Sequence, residues 1–407
     1  MSRVAFIAAL VLSFGVVSVV TQAADEPHVS ANLAKTLKAA NDALQAKNWT
    51  EVLNKTREAS AMTPRSAYDD YVIHSMQMAA YGATNNYPAT AEAIESIIDS
   101  QYLPASNKPQ LLRTLMSIYY SNKDYGKAVN YGKRAREAGD TSPDTSLTIA
   151  QAYFLDNKFK EAQDEMTTIV QHDEAAGRKP SEKALNLIWS CAIKTKDDAA
   201  AAKSIEKLIL LYPKPDYWSN AMAGFLNANG KSTDDRLKLM TYRLMFQVGI
   251  LKRAEHYTEM AQIAQDQGNP GEAQTVLEDA FKKNLYTDPH EKERTQRLLD
   301  KVKASATADR ATMAKQERDA SAAQSGDALV QVGGAYLGYG QPDKAISTIS
   351  AGISKGNLKH SDEAYMLLGI AYDRSKNSSE AVRAFNRATS DPKYAQLAKL
   401  WALQARS

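Results

Sequence analysis

"LGIAYDRSKNSSEAVRAFNRA", Leu368 to Ala388, reads as two short amphipathic helices joined across Ser375 to Ser379. Four residues mark it: Gly369, Tyr372, Ala381 and Ala388. The same offsets recur upstream as Gly333, Tyr336, Ala345 and Gly352, and as Ala261, Ala264, Ala273 and Ala280. They recur again as Met116, Tyr119, Ala128 and Ala135, and as Ala150, Tyr153, Ala162 and Ile169. A copy near the N-terminus has Ala40, Ala43, Val52 and Ala59, followed by Pro64. Small residues at the first and third offsets let the two helices of a pair approach closely. The fourth lets the second helix meet the next pair, and the tyrosine fills the gap between them. Turns such as "GNPG" and "GQPD" end one helix at Gly and open the next near Pro.

This spacing resembles the tetratricopeptide repeat, and internal repeats of this length signal a solenoid. Matched repeats start at 33, 72, 109, 143, 182, 254, 326 and 362. The two gaps of 72 are each twice 36, so further helical pairs are expected near 218 and 290. The segment after 290 is rich in charge and alanine, so a long solvated helix is the other reading. The resemblance implies an all-α TPR solenoid, a right-handed superhelix of about ten antiparallel helical pairs over residues 24–392. Residues 393–407 are expected to form a C-terminal capping helix that covers the apolar face of the last repeat.

"MSRVAFIAALVLSFGVVSVVTQAADEP" places Arg3 before an apolar run and ends in a small-x-small site at Thr21-Gln22-Ala23. It predicts a signal peptide over 1–23 and a periplasmic mature chain. No cysteine lies near that site, so a lipoprotein anchor is excluded, and no second apolar stretch is long enough to span a bilayer. The counts of 50 basic and 47 acidic residues give no case for nucleic acid or an anionic membrane as partner. Cys191 is the single cysteine and cannot form an internal disulfide; Leu187, Trp189 and Ile193 around it suggest a small buried hydrophobe.

Nothing in the chain reads as catalysis. The six histidines lack metal-ligand spacing, and no phosphate loop, nucleophile elbow or dinucleotide fingerprint is present. No catalytic, metal-binding or cofactor-binding residue is assigned, and no cofactor is expected. "GGAYLGYG" (333–340) reads as close helix packing, and the acceptor-like triplets at Asn48, Asn54 and Asn377 as helix and turn residues.

Binding remains. In the repeat family the first helix of each pair lines the concave face, at repeat positions 2, 5, 9, 12 and 13. Carried over, those positions give Arg113, Ser117 and Tyr120; Gln151 and Phe154; Glu255, Gln262, Gln265 and Asp266; and Glu363, Met366, Asp373 and Arg374. Tyr120 and Phe154 share a position in adjacent repeats and are expected to form an aromatic shelf. The implied partner is another envelope protein or an extended peptide. A narrower resemblance rests on Pro215, Tyr217 and Trp218 and on the closing "LGIAY" with "AVRAF". It is to periplasmic tetratricopeptide proteins associated with the TonB–ExbB–ExbD system. It implies a noncatalytic accessory of transporter energisation. The rival expectation is a scaffold for outer-membrane protein, pilus or polysaccharide machinery.

Overall fold

The computed structural model describes residues 27–229 and 234–407, and the expected signal peptide lies outside them. Every element among the described residues is helical. The chain divides into two units at Ala201/Ala202. The first unit holds α1 (Ala34–Gln45), α2 (Trp49–Ala61), α3 (Ala67–Ala83), α4 (Tyr87–Ile97) and α5 (Lys108–Ser121). It continues with α6 (Tyr125–Glu137), α7 (Pro143–Leu155), α8 (Phe159–Ala175) and α9 (Glu182–Thr195). The boundary falls inside α10 (Asp198–Leu211). The second unit holds α11 (Pro215–Asn229), α12 (Asp235–Gln247), α13 (Ala254–Asp266), α14 (Pro270–Lys282) and α15 (Pro289–Ala322). It ends with α16 (Asp327–Gly338), α17 (Pro342–Lys355), α18 (Ser361–Arg374), α19 (Ser378–Phe385) and α20 (Pro392–Gln404).

One turn, used eight times among the described residues, makes the pairs. The first helix ends on a residue with positive φ: Lys47, Asn85, Lys123, Asn157, Lys196, Gly268, Gly340 or Lys376. The next residue then donates its backbone N–H five residues back, as Asn48 does to Ala43 O and Asn377 to Tyr372 O, both at 2.9 Å. That closes a left-handed cap and satisfies carbonyls the helix would otherwise leave open. The same residue caps the second helix in several copies. Asn48 accepts from Glu51 N, Asp124 from Lys127 N and Asn377 from Glu380 N. Removing such a cap costs about 1 kcal/mol. Asn48 and Asn377 therefore serve as turn residues.

The small residues act as the spacing requires. A Cβ on Gly369 would lie 2.4 Å from the Phe385 ring, and one on Gly333 2.4 Å from Ile349. Ala128, Ala162, Ala273, Ala345 and Ala381 are all fully buried. The repeat tyrosine also bonds: Tyr119 and Tyr131, stacked at 5.5 Å, both donate to Glu95 Oε1 at 2.6 Å. That carboxylate ties α4 to α5 and α6.

Two expectations need correction. The second repeat's first helix, α3, begins at Ala67 rather than 72, because Ser66 and Asp69 form a reciprocal N-cap one turn earlier. The segment near 290 is not a helical pair but one helix of 34 residues, α15. It contains no Gly or Pro after Pro289 to break it. The expected C-terminal helix forms as Pro392–Gln404 and packs on the last pair, α18 and α19, and it also packs on the start of its own unit, α11 and α12.

That closure is specific. Trp401, 1% exposed, stacks on Phe385 at 5.7 Å and donates Nε1–H to Met240 O at 3.3 Å. Asn229 donates to Gln396 at 2.9 Å, Arg236 pairs with Glu363 at 2.6 Å, and Arg406 with Glu206 at 3.2 Å. Helix α20 can join two surfaces because Tyr394, Leu397, Ala398, Trp401 and Ala402 are all buried. Solvent-exposed pairs such as Arg406–Glu206 are worth little, so the buried Trp401 carries most of the seam.

Candidate functional site

Each unit presents a different version of the expected concave face. In the first unit, Arg113 is already used. Its guanidinium donates to Asp140 at 3.2 Å, and Asp140 also accepts from Ser142 N and the Thr145 hydroxyl. Arg113 thus pins α5 to the turn between α6 and α7. Ser117 is exposed, and Tyr120, Gln151 and Phe154 are half-buried. Tyr120 lies edge-on to Tyr125 at 5.9 Å, and Phe154 edge-on to Phe159 at 5.2 Å. Each ring is steadied by an aromatic residue of its own pair's second helix.

Two residues outside the expected set complete this surface. Leu155 is 47% exposed and Ile193 is 53% exposed. They stand at repeat positions 13 and 12 of α7 and α9, beside or equivalent to Phe154 and Tyr120. Helix α5 packs on α7, and α7 on α9. Apolar side chains therefore occupy the same end of three consecutive first helices. The register already pointed to Ile193, but its neighbour Cys191 drew it into the reading of a core. Cys191 itself is fully buried, and burial pushes its thiol up to about 11, which leaves it inert.

The second unit differs. Gln262 and Asp266 are exposed, as is Glu255, which pairs with Arg253. Gln265 is half-buried, with its carbonyl oxygen unpartnered. Glu363 and Met366 are not available to a partner: Met366 is fully buried and Glu363 is 8% exposed against Arg236. Helices α12 and α20 pack against α18, so these two residues are corrected from binding face to closure. Asp373 is half-buried, and burial raises its carboxyl against the opposing pull of Arg374 and Gln404. Arg374 donates to Leu337 O at 3.0 Å and closes the end of α16.

Within the same unit, Arg243 and Glu272 form a buried two-point ion pair at 2.8 and 2.5 Å, linking α12 to α14. Burial alone would raise the Glu272 carboxyl, but the Arg243 guanidinium outweighs it and holds the group below its ordinary value. Burying charge is costly, so this pair specifies the fit of α12 on α14 more than it adds stability. Its geometry is that of a joint: each group satisfies the other, and neither reaches out to a substrate. No group of His, Cys, Asp and Glu with metal-holding geometry occurs among the described residues. Nor is any helix among them long and apolar enough to cross a membrane.

Residues 362–390 match the tetratricopeptide repeat family. This is the α18–α19 pair and its flanks, the stretch with the clearest spacing. The fold is an all-α array of tetratricopeptide-type helical pairs. A crystal structure of a tetratricopeptide repeat protein from Parabacteroides merdae is 12% identical, covers 82% of this chain and 98% of its own, and has a TM-score of 0.29. Yeast Tom70 is 13% identical over 92% of this chain and 88% of its own, at 0.26. The P58(IPK) TPR domain is 12% identical over 92% and 97%, at 0.22. At such values none of the three bears on this chain's partner. No curated protein matches the chain in sequence.

Proposed function

We propose that this chain is a noncatalytic protein–protein interaction scaffold of the periplasm, and that its first unit carries the partner on the face formed by Tyr120, Phe154, Leu155 and Ile193. The observation that carries this reading is the half-exposure of Leu155 and Ile193 at neighbouring positions on successive first helices, α7 and α9. Full burial of a leucine or isoleucine is worth about 1.5–3 kcal/mol, so covering the exposed half of each contributes about 1 kcal/mol. Half-buried Tyr120 and Phe154 add area with little loss of rotamer freedom. A polypeptide segment with two or three apolar side chains suits this surface better than a small molecule does.

The finer proposal is an accessory of a TonB-type energy-transduction system. It is supported by the resemblance at Pro215, Tyr217 and Trp218 and at the closing repeat, and by the secretion signal read at the N-terminus. The test is a photo-crosslinking amino acid placed at Ile193 or, separately, at Gln262, in intact cells. Adducts at 193 containing TonB, ExbD or an outer-membrane transporter support the accessory role. Adducts at 193 containing secretion or assembly components replace it with the rival role. Adducts at 262 and none at 193 overturn the choice of face.

A further inference from the structure

Helix α15 stands where the repeat spacing calls for a helical pair. Its C-terminal half has Ala at 306, 308, 311, 314, 320 and 322, and Met313 as its one large apolar residue. Such a half-helix cannot fill the space against α16. A cleft of about 430 Å³ remains, lined by α15, α16 and Gly268 of the α13–α14 turn. That volume is in the ordinary range for small-molecule sites.

The lining is chemically one-sided. Ala320, Val332 and Ala335 form an apolar floor, the charged lining residues are Asp309 and Asp319, and Arg310, Lys315 and Arg318 between them on α15 are not part of the lining. Asp309 is half-buried and its hydrogen-bond partners are uncharged, and Asp319 is exposed. Asp309 accepts from Tyr339 Oη at 2.6 Å and from Gln316 Nε2 at 2.7 Å, which fixes its orientation. The nearby Arg310 is turned over the Tyr339 ring, 4.6 Å from its centre, and does not line the cleft. Gln316 donates to Asp309 and Thr312, leaving its carbonyl oxygen free to accept.

Ten residues of helix separate the two carboxylates, about 15 Å along the axis at 1.5 Å per residue. A single metal ion cannot bridge that span, since its oxygen ligands must lie within about 2.6 Å. One ammonium or guanidinium cannot either. An extended chain with a positive charge at each end can, with its methylenes over the alanine and valine floor.

We propose that this cleft binds a linear aliphatic polyamine, one terminal ammonium at Asp309 and the other at Asp319. An inner ammonium donates to the Gln316 carbonyl. The proposal is independent of the protein-binding face in the first unit.

The experiment is calorimetric titration of the full chain at physiological salt with spermine and, separately, with putrescine. Spermine is expected to bind one to one, and putrescine, too short to reach both carboxylates, at least tenfold more weakly. Asp319→Asn alters an exposed side chain and should weaken spermine at least tenfold with the circular dichroism unchanged. Ala328→Leu, which fills the cleft from α16, should abolish the heat of binding. Absence of saturable spermine binding overturns the proposal, as does spermine affinity unchanged in Asp319→Asn. Putrescine binding as tightly as spermine overturns the two-ended arrangement.

Discussion

In the first unit, positions 13 and 12 of successive first helices hold Leu155 and Ile193 about half in water. In the second, positions 2 and 5 of α18 hold Glu363 and Met366, and both are covered. The same helical pair thus gives an open apolar face in one unit and a closed polar joint in the other. The difference comes from what the second unit adds. It has Trp401 on a helix buried on two sides, Arg236 against Glu363, and Arg243 against Glu272. Repeats stabilise one another through neighbours only, so closure depends on such extra contacts between distant segments.

The largest expected effect follows from breaking that joint. Glu272→Ala leaves the Arg243 charge buried and unpaired, a loss of about 3–5 kcal/mol. Hydrogen exchange should show amides of α12–α20 losing protection while those of α1–α9 keep theirs. Equal loss in both units would end the comparison. Replacing both partners by Met and Leu should recover most of the stability, since a packed apolar pair can substitute for a buried ion pair.

A smaller effect tests the pair itself. Gly369→Ala places a methyl against the Phe385 ring and should cost about 1–3 kcal/mol, read as a lower thermal midpoint. An unchanged midpoint would mean that the close approach of α18 and α19 is not needed.

Acid offers a third contrast. Glu272 in the second unit and Asp69 in the first are both held below their ordinary values, 4.5 and 3.8. Burial opposes the shift in each; Arg243 overcomes it for Glu272, and hydrogen bonds from Ser30 and Ser66 overcome it for Asp69. A depressed carboxyl stabilises the fold above its unfolded value, and that stability is lost as pH falls through the folded value. The second unit should therefore weaken on acidification below about pH 4.5 and the first below about pH 4. Glu272→Gln should flatten the dependence in the second unit alone, and Asp69→Asn in the first alone. Asp373 has the opposite sign: its carboxyl is raised, so protonation favours the folded second unit. Asp373→Asn should remove a loss of stability that otherwise sets in as pH rises from about 4.

The smallest effects on stability belong to the open face. Leu155→Asp and Ile193→Asp should each cost about 1 kcal/mol of folding stability, because only the buried half of each side chain is lost. A loss of several kcal/mol in denaturant would mean that they are core residues and not a face.

Much of the fold is legible because its rules are local. Gly369 and Ala381 report how closely two helices approach, and an Asn or Asp after a left-handed residue reports the turn. The long helix was legible too, since no Gly or Pro interrupts residues 290–322, but the 72-residue gap fits a pair equally well by arithmetic. Closure was not legible. Trp401 and Met240 are 161 residues apart, as are Arg236 and Glu363 by 127, and each looks like an ordinary helix residue within its own repeat. Transferring the family's groove positions assumed an open array, and so it assigned Glu363 and Met366 to a face that this unit covers.

The most direct test of that contrast uses the protein's single cysteine. Cys191→Ala gives a background without thiols, into which Ile193→Cys and Met366→Cys are placed separately. Maleimide labelling of the native chain should be fast at 193. At 366 it should be protected until denaturant unfolds the second unit. Comparable rates at the two positions under native conditions would contradict the account of one open face and one closed.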